Sequence, residues 1–273
     1  EPGFDRYDAD YGSFAWTFEH RFNEIWSLRQ NARYQRMSLD YRLHYLGMFD
    51  ENGDPEAAPR SNMVVDEGTR SLLVDTSVQA RIDGERVDHT VMLGIDYRKL
   101  RNNENDGFGV GTDINLFDPV YGGPVTLPTQ TRRITDARQA GVYLQDHIKF
   151  DQRWVLLLGG RYDKVRREID SQGSVGHFDD EAFSGRAGLV YVGEGGFAPY
   201  FSYSESFQPL NSTDATTHRP FKPETGRQFE LGARWQPTGS EVLISASLFD
   251  LRKQNMVIAD VRDPNLRHQV GEV

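Results

Sequence analysis

Apolar and polar side chains alternate with a period of two along most of the chain, and this pattern limits the possible folds more than any other feature. In residues 138–150 one set of alternate positions is apolar except for Asp146, and the other set is mostly polar. Residues 71–82 and 226–236 repeat the arrangement. Because successive side chains of a strand point to opposite faces, the pattern predicts strands with two unlike faces. The chain is therefore predicted to be all-β.

The predicted strands are unusually long. About ten are expected, near residues 11–20, 25–36, 71–82, 89–100, 138–150, 154–167, 183–192, 197–207, 226–236 and 241–256. Each has roughly 10 residues or more, whereas strands of soluble sheets most often have about five or six. A tilted strand needs about 9–11 residues to cross a bilayer. Strand length thus favours a transmembrane sheet.

The links between these strands alternate between short and long. Short turns are predicted near residues 20–24, 83–88, 151–153, 193–196 and 237–240, and long external loops near 37–70, 101–137, 168–182 and 208–225. An up-and-down meander of this kind has all its tight turns at one rim, as in outer-membrane β-barrels. Some soluble barrels and propellers approach the same arrangement, so the pattern favours the membrane barrel without excluding them.

Composition excludes several other classes. The chain has 31 basic and 41 acidic side chains and a net charge of −10, which argues against a nucleic-acid partner. The absence of Cys excludes thiolate chemistry, disulfides and Cys-based zinc sites. A mean hydropathy of −0.63 and the lack of a long apolar run exclude a membrane-spanning helix. They do not exclude a barrel, which shows the bilayer only every second side chain.

Aromatic and charged side chains fit the same interpretation. Aromatic residues beside the short turns are Trp26, Phe150, Trp154, Tyr191, Phe197 and Trp235, while Tyr97 and Tyr162 lie toward the opposite strand ends. Such rings are typical of the two interfacial girdles of a barrel, although β-propensity alone also enriches strands in aromatics.

Charged residues on the opposite set of positions are predicted to face the lumen. They are Arg81, Arg161, Asp163, Arg186, Glu230 and Arg234. Facing lipid at mid-membrane, an Arg or Lys would cost about 2–4 kcal/mol. In the lumen these residues can pair with one another or with a domain inside the barrel, or simply solvate a water-filled wall.

Several segments resemble TonB-dependent siderophore receptors, especially the ferrichrome and ferric-hydroxamate group. They are AGVYLQDHIKFDQRWVLLLGGRYDKVRRE from Ala140 through Glu168, YFSYSESFQPL from Tyr200, FKPETGRQFELGARWQ from Phe221, SLFDLRKQNMVIADVRDP from Ser247, and the loop segment INLFDPVYGGPV from Ile114. Together the matching segments cover most of the chain from about residue 11 onward.

The resemblance implies a monomeric 22-stranded barrel in the outer membrane of a Gram-negative bacterium, with an N-terminal plug in its lumen. Such receptors import an iron(III)–siderophore complex, energised through a TonB box that precedes the plug. No TonB box, plug or closing strand is recognised here, so residues 1–273 are expected to be part of one barrel domain, an internal fragment with about ten of the strands. A passive porin and a soluble β-structured binding protein or enzyme are the alternatives.

The resemblance further implies no enzymatic reaction and no cofactor or metal held by the protein itself. The expected partners are the ferric siderophore, the TonB system through a missing N-terminal region, and outer-membrane lipid. Within the sequence, Ser202, Ser204 and Ser206 lack a nucleophile elbow and a base, so no catalytic residue is proposed.

Ligand contact is expected from aromatic side chains near the long-loop rim, because a hydroxamate complex offers both apolar surface and oxygen-rich edges. The candidates are Phe108, Phe117, Tyr121 and Phe207. The alternative for Phe117 and Tyr121 is packing within their own loop. Gly107, Gly109 and Gly111 are expected to belong to a flexible external loop.

Overall fold

A computed structural model of the chain contains one large antiparallel sheet. It describes residues 3–47, 53–121, 125–210, 212–214, 219–260 and 266–272. The strands of the large sheet are β1 (Arg6–Arg21), β2 (Trp26–Leu46), β3 (Arg60–Ile82), β4 (Val87–Val110), β5 (Thr131–Phe150), β6 (Trp154–Ser171), β7 (Ser174–Tyr191), β8 (Phe197–Gln208), β9 (Glu224–Trp235) and β10 (Ile244–Gln254). A separate two-stranded sheet pairs β11 (Val257–Ala259) with β12 (Arg267–Gln269), and two short 3₁₀ turns occupy Pro55–Ala57 and Glu194–Gly196.

Every strand of the large sheet pairs with its neighbour in sequence, in the order β1 to β10. The all-β prediction of about ten consecutive strands is confirmed, and β1 and β10 form the two edges of the sheet. The apolar residues are not sandwiched between two sheets: Val142, Leu144 and Leu231 are 44%, 53% and 61% exposed. Among the described residues, no helix combines the length and the apolar character needed to cross a membrane.

The register gives the sheet two chemically distinct faces. On one, which we call the apolar face, Val78 pairs with Leu93, which in turn pairs with Leu144. Farther along the sheet, Leu231 lies on this face between Phe201 and Leu248. The opposite side, which we call the polar face, carries rows such as Ser77, Gly94, Tyr143 and Arg161. The alternation seen in the sequence thus continues across neighbouring strands, because directly paired residues of an antiparallel sheet share a face.

Two of the predicted long loops are much shorter than expected. In the interval 37–70, β2 continues to Leu46 and β3 already begins at Arg60. In the interval 101–137, β4 continues to Val110 and β5 begins at Thr131. The prediction ended each strand where apolar alternation ended. A strand that continues into water keeps its hydrogen-bonded ladder without needing an apolar face, so alternation underestimates its length.

The loop predicted near 168–182 is wrong, because β6 and β7 are joined directly by a two-residue turn. Gln172 and Gly173 have φ values of 54° and 87°, as a tight hairpin requires, and the Gly173 amide donates to Asp170 Oδ1 at 2.8 Å. Oppositely charged side chains on the two strands form ion pairs near the hairpin. Arg167 Nη2, on β6, lies 2.5 Å from Asp180 Oδ2, on β7. Charged strands of this kind carry no apolar alternation. Because the β6–β7 link is short, the links between strands do not alternate strictly between short and long. The β9–β10 link, residues 236–243, is also longer than predicted.

The two longest connections pack on opposite faces of the sheet. The β4–β5 connection lies on the apolar-face side, where Ala58 and Ile114 bridge it to the β2–β3 connection and Val64 is buried beneath. Pro209, at the start of the β8–β9 connection, instead shares a groove with Val165 and Arg167 of the polar face. One connection therefore packs outside the wall, whereas the other begins on its polar side.

Candidate functional site

A cluster of ionised side chains centred on Arg161 lies in the middle of the polar face. Arg161 Nη1 donates to Asp96 Oδ2 at 2.5 Å, and its Nη2 donates to Asp163 Oδ1 at 2.6 Å. Gln139 also donates to Asp163, at 2.9 Å. The carboxylate of Asp163 is buried, so these partners replace the water it loses. Three adjacent strands, β4, β5 and β6, are thereby tied together by side chains as well as by their ladders.

Tyr143 adds a second link across the same strands. Its ring lies over Gly94, where an added methyl group would approach the ring carbon Cζ to 2.2 Å. Its hydroxyl donates to Asp75 Oδ2 at 2.8 Å. Only a glycine at position 94 of β4 leaves room for this ring. The hydrogen bond from Tyr143 to Asp75 of β3 therefore depends on Gly94 having no side chain.

The register places all six predicted lumen-facing residues on the polar face, but they divide into two groups. Arg161 and Asp163 pair with each other, and Glu230 accepts from Tyr200 Oη at 2.5 Å and from Gln228 Nε2 at 3.0 Å. By contrast, within the described part of the chain no carboxylate lies within 4.0 Å of the guanidinium groups of Arg81, Arg186 and Arg234. The guanidinium of Arg186 donates only to the neutral side chain of Gln145 among the described residues.

A concavity of about 580 Å³ lies on the polar face beside these groups. It is lined by Tyr143, Arg161 and Arg186 at the point where β7 and β8 separate. Their ladder ends at the pair Arg186–Ser204, and beyond it the Gly185 amide donates to Glu205 Oε2 at 2.7 Å. The lining combines charged side chains, among them Asp75, Arg161 and Glu205, with a somewhat larger apolar area.

The four predicted ligand-contact residues do not share one surface. Phe108 lies near the end of β4 on the polar face and is 63% exposed. Phe117 and Tyr121 lie in the β4–β5 connection and are 77% and 60% exposed. Phe207 lies in β8 in register with Phe201 and Tyr203 of the apolar face, so its side chain is on the opposite side of the sheet from Phe108.

Tyrosines that sequence reasoning missed lie on the same face as Phe108. Tyr7 pairs with Tyr41, and their rings meet edge to face with centroids 5.6 Å apart. Tyr41 pairs with Val65, and two residues along the strands Leu43, Met63 and Phe108 form the next row. Tyr45 lies in the row beyond. These aromatic and aliphatic side chains form a surface at the long-loop end of β1–β4, which we call the aromatic surface: Tyr7, Tyr41, Leu43, Tyr45, Met63, Val65 and Phe108. The period-two run Tyr41, Leu43, Tyr45 was the available signal, but it fell in a predicted loop.

The β4–β5 connection is held in place by buried polar contacts. Asn62, which has no exposed surface, donates from Nδ2 to the Thr126 carbonyl at 3.0 Å. Arg60 Nε donates to the Thr112 carbonyl at 2.6 Å. The Asn115 side chain accepts from the Phe117 amide at 2.8 Å. Phe117 is therefore carried on a segment whose base is fixed to β3.

The glycines near this segment have a packing role that differs from the expected flexible loop. Gly107 and Gly109 lie in β4, where a methyl group at either position would fall within 3.0 Å of a neighbouring oxygen. Those oxygens belong to Thr129 and Asn62. The absence of side chains allows the connection to approach the strand closely.

Within the described residues, no three His, Asp or Glu side chains are arranged to hold a metal ion. In the Arg161 cluster the carboxylates of Asp96 and Asp163 instead accept hydrogen bonds from the guanidinium group.

A protein-family model described as a TonB dependent receptor-like β-barrel matches residues 1–273. Similar curated proteins include the "Ferrioxamine receptor" of Yersinia enterocolitica, 34% identical over 89% of this chain and 35% of its own length. The "Ferrioxamine B receptor" of Salmonella typhimurium is 31% identical over 100% of this chain and 38% of its own length. The "Ferrichrome outer membrane transporter/phage receptor" of Escherichia coli is 29% identical over 98% of this chain and 39% of its own length. The chain thus spans less than two fifths of the length of these three relatives.

The fold also matches solved structures. The siderophore receptor PiuA from Acinetobacter baumannii superposes with a TM-score of 0.79 at 18% identity, over 98% of this chain and 43% of that one. The ferric-catecholate import receptor Fiu from Escherichia coli gives a TM-score of 0.75 at 20% identity, over 99% of this chain and 44% of that one. At these identities the comparison supports the fold, a wall of consecutive antiparallel strands.

Proposed function

Because this chain belongs to the family of TonB-dependent receptor-like β-barrels, we propose that it forms part of the wall of an outer-membrane receptor that imports a ferric siderophore. The observation that carries the proposal is the family match along residues 1–273, on a sheet whose apolar face is largely exposed. In a barrel that face meets lipid and the polar face meets the lumen. The family is one of transport receptors rather than enzymes.

The proposed ligand is an iron(III) hydroxamate complex. Two of the similar proteins are named for ferrioxamine and one for ferrichrome. Iron would enter already wrapped in its chelator, so the protein needs no iron ligand of its own. The ligand is cargo, and no cofactor is proposed.

The proposed contact region is the aromatic surface together with the exposed rings of the β4–β5 connection. Aromatic side chains supply large apolar area, and tyrosine hydroxyls can donate to the oxygen-rich edge of a hydroxamate complex. Phe108, Tyr7 and Tyr45 are all exposed on the polar face. Phe117 and Tyr121 lie on a connection that packs on the apolar-face side, so they are proposed only as contacts at the rim beyond the strands. Phe207, which lies within β8, is left out because its register places it on the apolar face.

The proposed partners are those that the family architecture requires. They are the TonB system, reached through a region outside these 273 residues, and the outer-membrane lipid around the apolar face. The complete receptor is proposed to be a monomer, and no nucleic-acid partner is expected at a net charge of −10.

Uptake by intact cells tests this proposal. The full-length gene is expressed in a bacterium that lacks its own hydroxamate receptors, with and without a functional TonB system, and uptake of radiolabelled iron is measured for ferrioxamine and ferrichrome complexes. The proposal predicts uptake only when TonB is functional. Uptake that continues without TonB would indicate a passive porin, and no uptake of either complex would refute the proposed ligand class.

A further inference from the structure

Carboxylates border the aromatic surface on the polar face. Asp106 pairs directly with Val65 of that surface and lies next to Phe108 on the same face of β4. Glu67 and Glu104 pair with each other in the adjoining row. Directly paired side chains have Cβ atoms about 4.5–5.5 Å apart, and diagonal neighbours lie about 7–8 Å apart. The three carboxylates are therefore neighbours, and we call Glu67, Glu104 and Asp106 the acidic border.

The chain itself neutralises only part of this charge. Arg133 Nη1 lies 3.6 Å from Glu104 Oε2, and among the described residues it is the one basic group within 4.0 Å of the acidic border. Glu67 Oε1 accepts from the hydroxyl of Thr69 at 2.9 Å. Asp106 Oδ1 is buried and has no hydrogen-bond partner in the part of the chain that the structure describes. Glu67 and Asp106 are thus left without a cation.

Other basic groups of the polar face are too distant to supply this cation. Arg33 and Arg98 both pair with Leu73, which lies six residues along β3 from Glu67. At about 3.3 Å per residue the separation is roughly 20 Å. Interactions between exposed charges are largely screened beyond about 8 Å at physiological salt. The acidic border therefore acts as a separate negative region at the long-loop end of the sheet.

The surroundings of the acidic border favour an organic cation as its partner. No three carboxylates or imidazoles within the described ranges are arranged to hold a metal ion. The rings of Tyr7 and Phe108 are 69% and 63% exposed on the same face. An ammonium group can form charge-assisted hydrogen bonds with carboxylates and also lie against an aromatic ring. Carboxylates beside exposed rings are therefore suited to a ligand that combines an apolar body with a protonated amine.

We propose that the acidic border makes the contact region selective for hydroxamate complexes that carry a protonated amine, with Asp106 and Glu67 as the residues that determine this specificity. The inference rests on the proposed function, because it assigns a charge preference to the site proposed there. Hydroxamate groups balance the charge of iron(III), so a complex with a pendant amine is positively charged. Complexes with catecholate or carboxylate groups carry negative charge, and the same two residues would repel them.

The two parts of the contact region have different tasks. The rings cover the body of the chelate, and the acidic border, one row farther along the strands, receives the amine. Asp106 Oδ1 is withdrawn from water without a donor, so it gains more from an ammonium group than a solvated carboxylate does. Partial burial also strengthens the attraction between the opposite charges.

The test compares two ligands that differ in one charge. Ferrioxamine B ends in an amine, and N-acetylation removes its charge without altering the iron centre. Both complexes are titrated into the purified full-length receptor in detergent at about 0.05 M salt, where exposed charges are weakly screened. One variant combines Glu67→Gln with Asp106→Asn. The matched control combines Asp10→Asn with Asp66→Asn, which remove the same charge from the opposite face of β1 and β3. Heat-modifiable gel mobility reports assembly of each barrel.

The wild type and the control variant should bind ferrioxamine B about tenfold more tightly than its N-acetyl derivative, as expected for two partly exposed ion pairs worth a few-fold each. In the Glu67→Gln, Asp106→Asn variant the ratio of the two Kd values should fall to about twofold or less. A ratio near one in the wild type would overturn the proposal, and so would a tenfold ratio that survives the double substitution.

Salt gives a second measurement, which needs no variant to assemble. The wild-type ratio should shrink when salt is raised to about 1 M, because salt screens ion pairs of this kind. A ratio that does not respond to salt would contradict the proposed charge selection.

The outcomes also separate this inference from the proposed function. If the wild type binds neither complex, the proposed ligand class is refuted and the charge selection falls with it. If a receptor that imports iron from both complexes binds them equally well, the charge selection alone is refuted.

Discussion

Arginine substitutions on the two faces of β9 should have opposite consequences for assembly of the complete receptor. Leu231 is 61% exposed on the apolar face, between Phe201 and Leu248. Near the bilayer midplane, an Arg on the lipid-facing side of a barrel costs about 2–4 kcal/mol. Leu231→Arg should therefore lower the equilibrium constant for folding into the membrane by roughly 30-fold to 700-fold, at about 1.4 kcal/mol per factor of ten.

The matched control lies three residues away on the other face. Gln228 Nε2 donates to Glu230 Oε2 at 3.0 Å, so Gln228→Arg keeps a donor opposite a carboxylate and adds an ion pair. Such a partly exposed pair contributes only about 0–1 kcal/mol. Gln145→Arg would be a poorer control, because Gln145 already accepts from the Arg186 guanidinium and an arginine there would bring two cations together.

Both variants would be made in the full-length receptor and folded into lipid vesicles over a urea series, with heat-modifiable mobility on gels reporting the assembled fraction. We expect the Leu231→Arg midpoint to fall well below that of wild type, while Gln228→Arg stays close to it. Equal damage from the two variants would show that the faces are assigned wrongly. Little damage from either would show that β9 does not cross a bilayer.

Two further predictions concern packing on the polar face and the ligand site. Gly94→Ala should displace the Tyr143 ring and break its hydrogen bond to a carboxylate, with a loss of about 1.5–3 kcal/mol in the urea-derived free energy of unfolding of the receptor; an unchanged midpoint would contradict the close packing described. Phe108→Ala should weaken binding of iron-loaded siderophore to whole cells about tenfold, and Phe117→Ala and Tyr121→Ala should weaken it less, all with unchanged amounts of assembled barrel. Binding that is unaltered in all three variants would remove these rings from the site.

The sheet could be predicted from the sequence because its signal is local and repeated. The alternation of apolar and polar residues, as at Val142 and Leu144, indicates both where a strand lies and which face each side chain is on. The register places apolar residues of neighbouring strands on the same face of the sheet. The β6–β7 hairpin could not be predicted in the same way. Its strands are stabilised by opposite charges such as Arg167 and Asp180, which look like a solvated loop when only one strand is considered.

The candidate site was harder to predict because it depends on contacts between distant residues. Tyr7 meets Tyr41, and Phe108 meets Met63, only once four long strands are aligned. Asn62 likewise holds a connection that begins about 50 residues later, through the Thr126 carbonyl. A sequence pattern within one strand carries no information about such partners.

Asp146 shows how an apparent exception to the alternation can be accommodated by the fold. It interrupts an otherwise apolar face of β5, and on that face it pairs with Leu158, midway between Trp154 and Tyr162. An isolated carboxylate in an apolar band would be costly. The structure places His89 on the same face, with its Nδ1 2.8 Å from Asp146 Oδ2, although the two residues are 57 positions apart. Because the carboxylate and the imidazole share a hydrogen bond, the strand can keep a polar residue on this face, and the alternation at its neighbours still determines which way β5 is oriented.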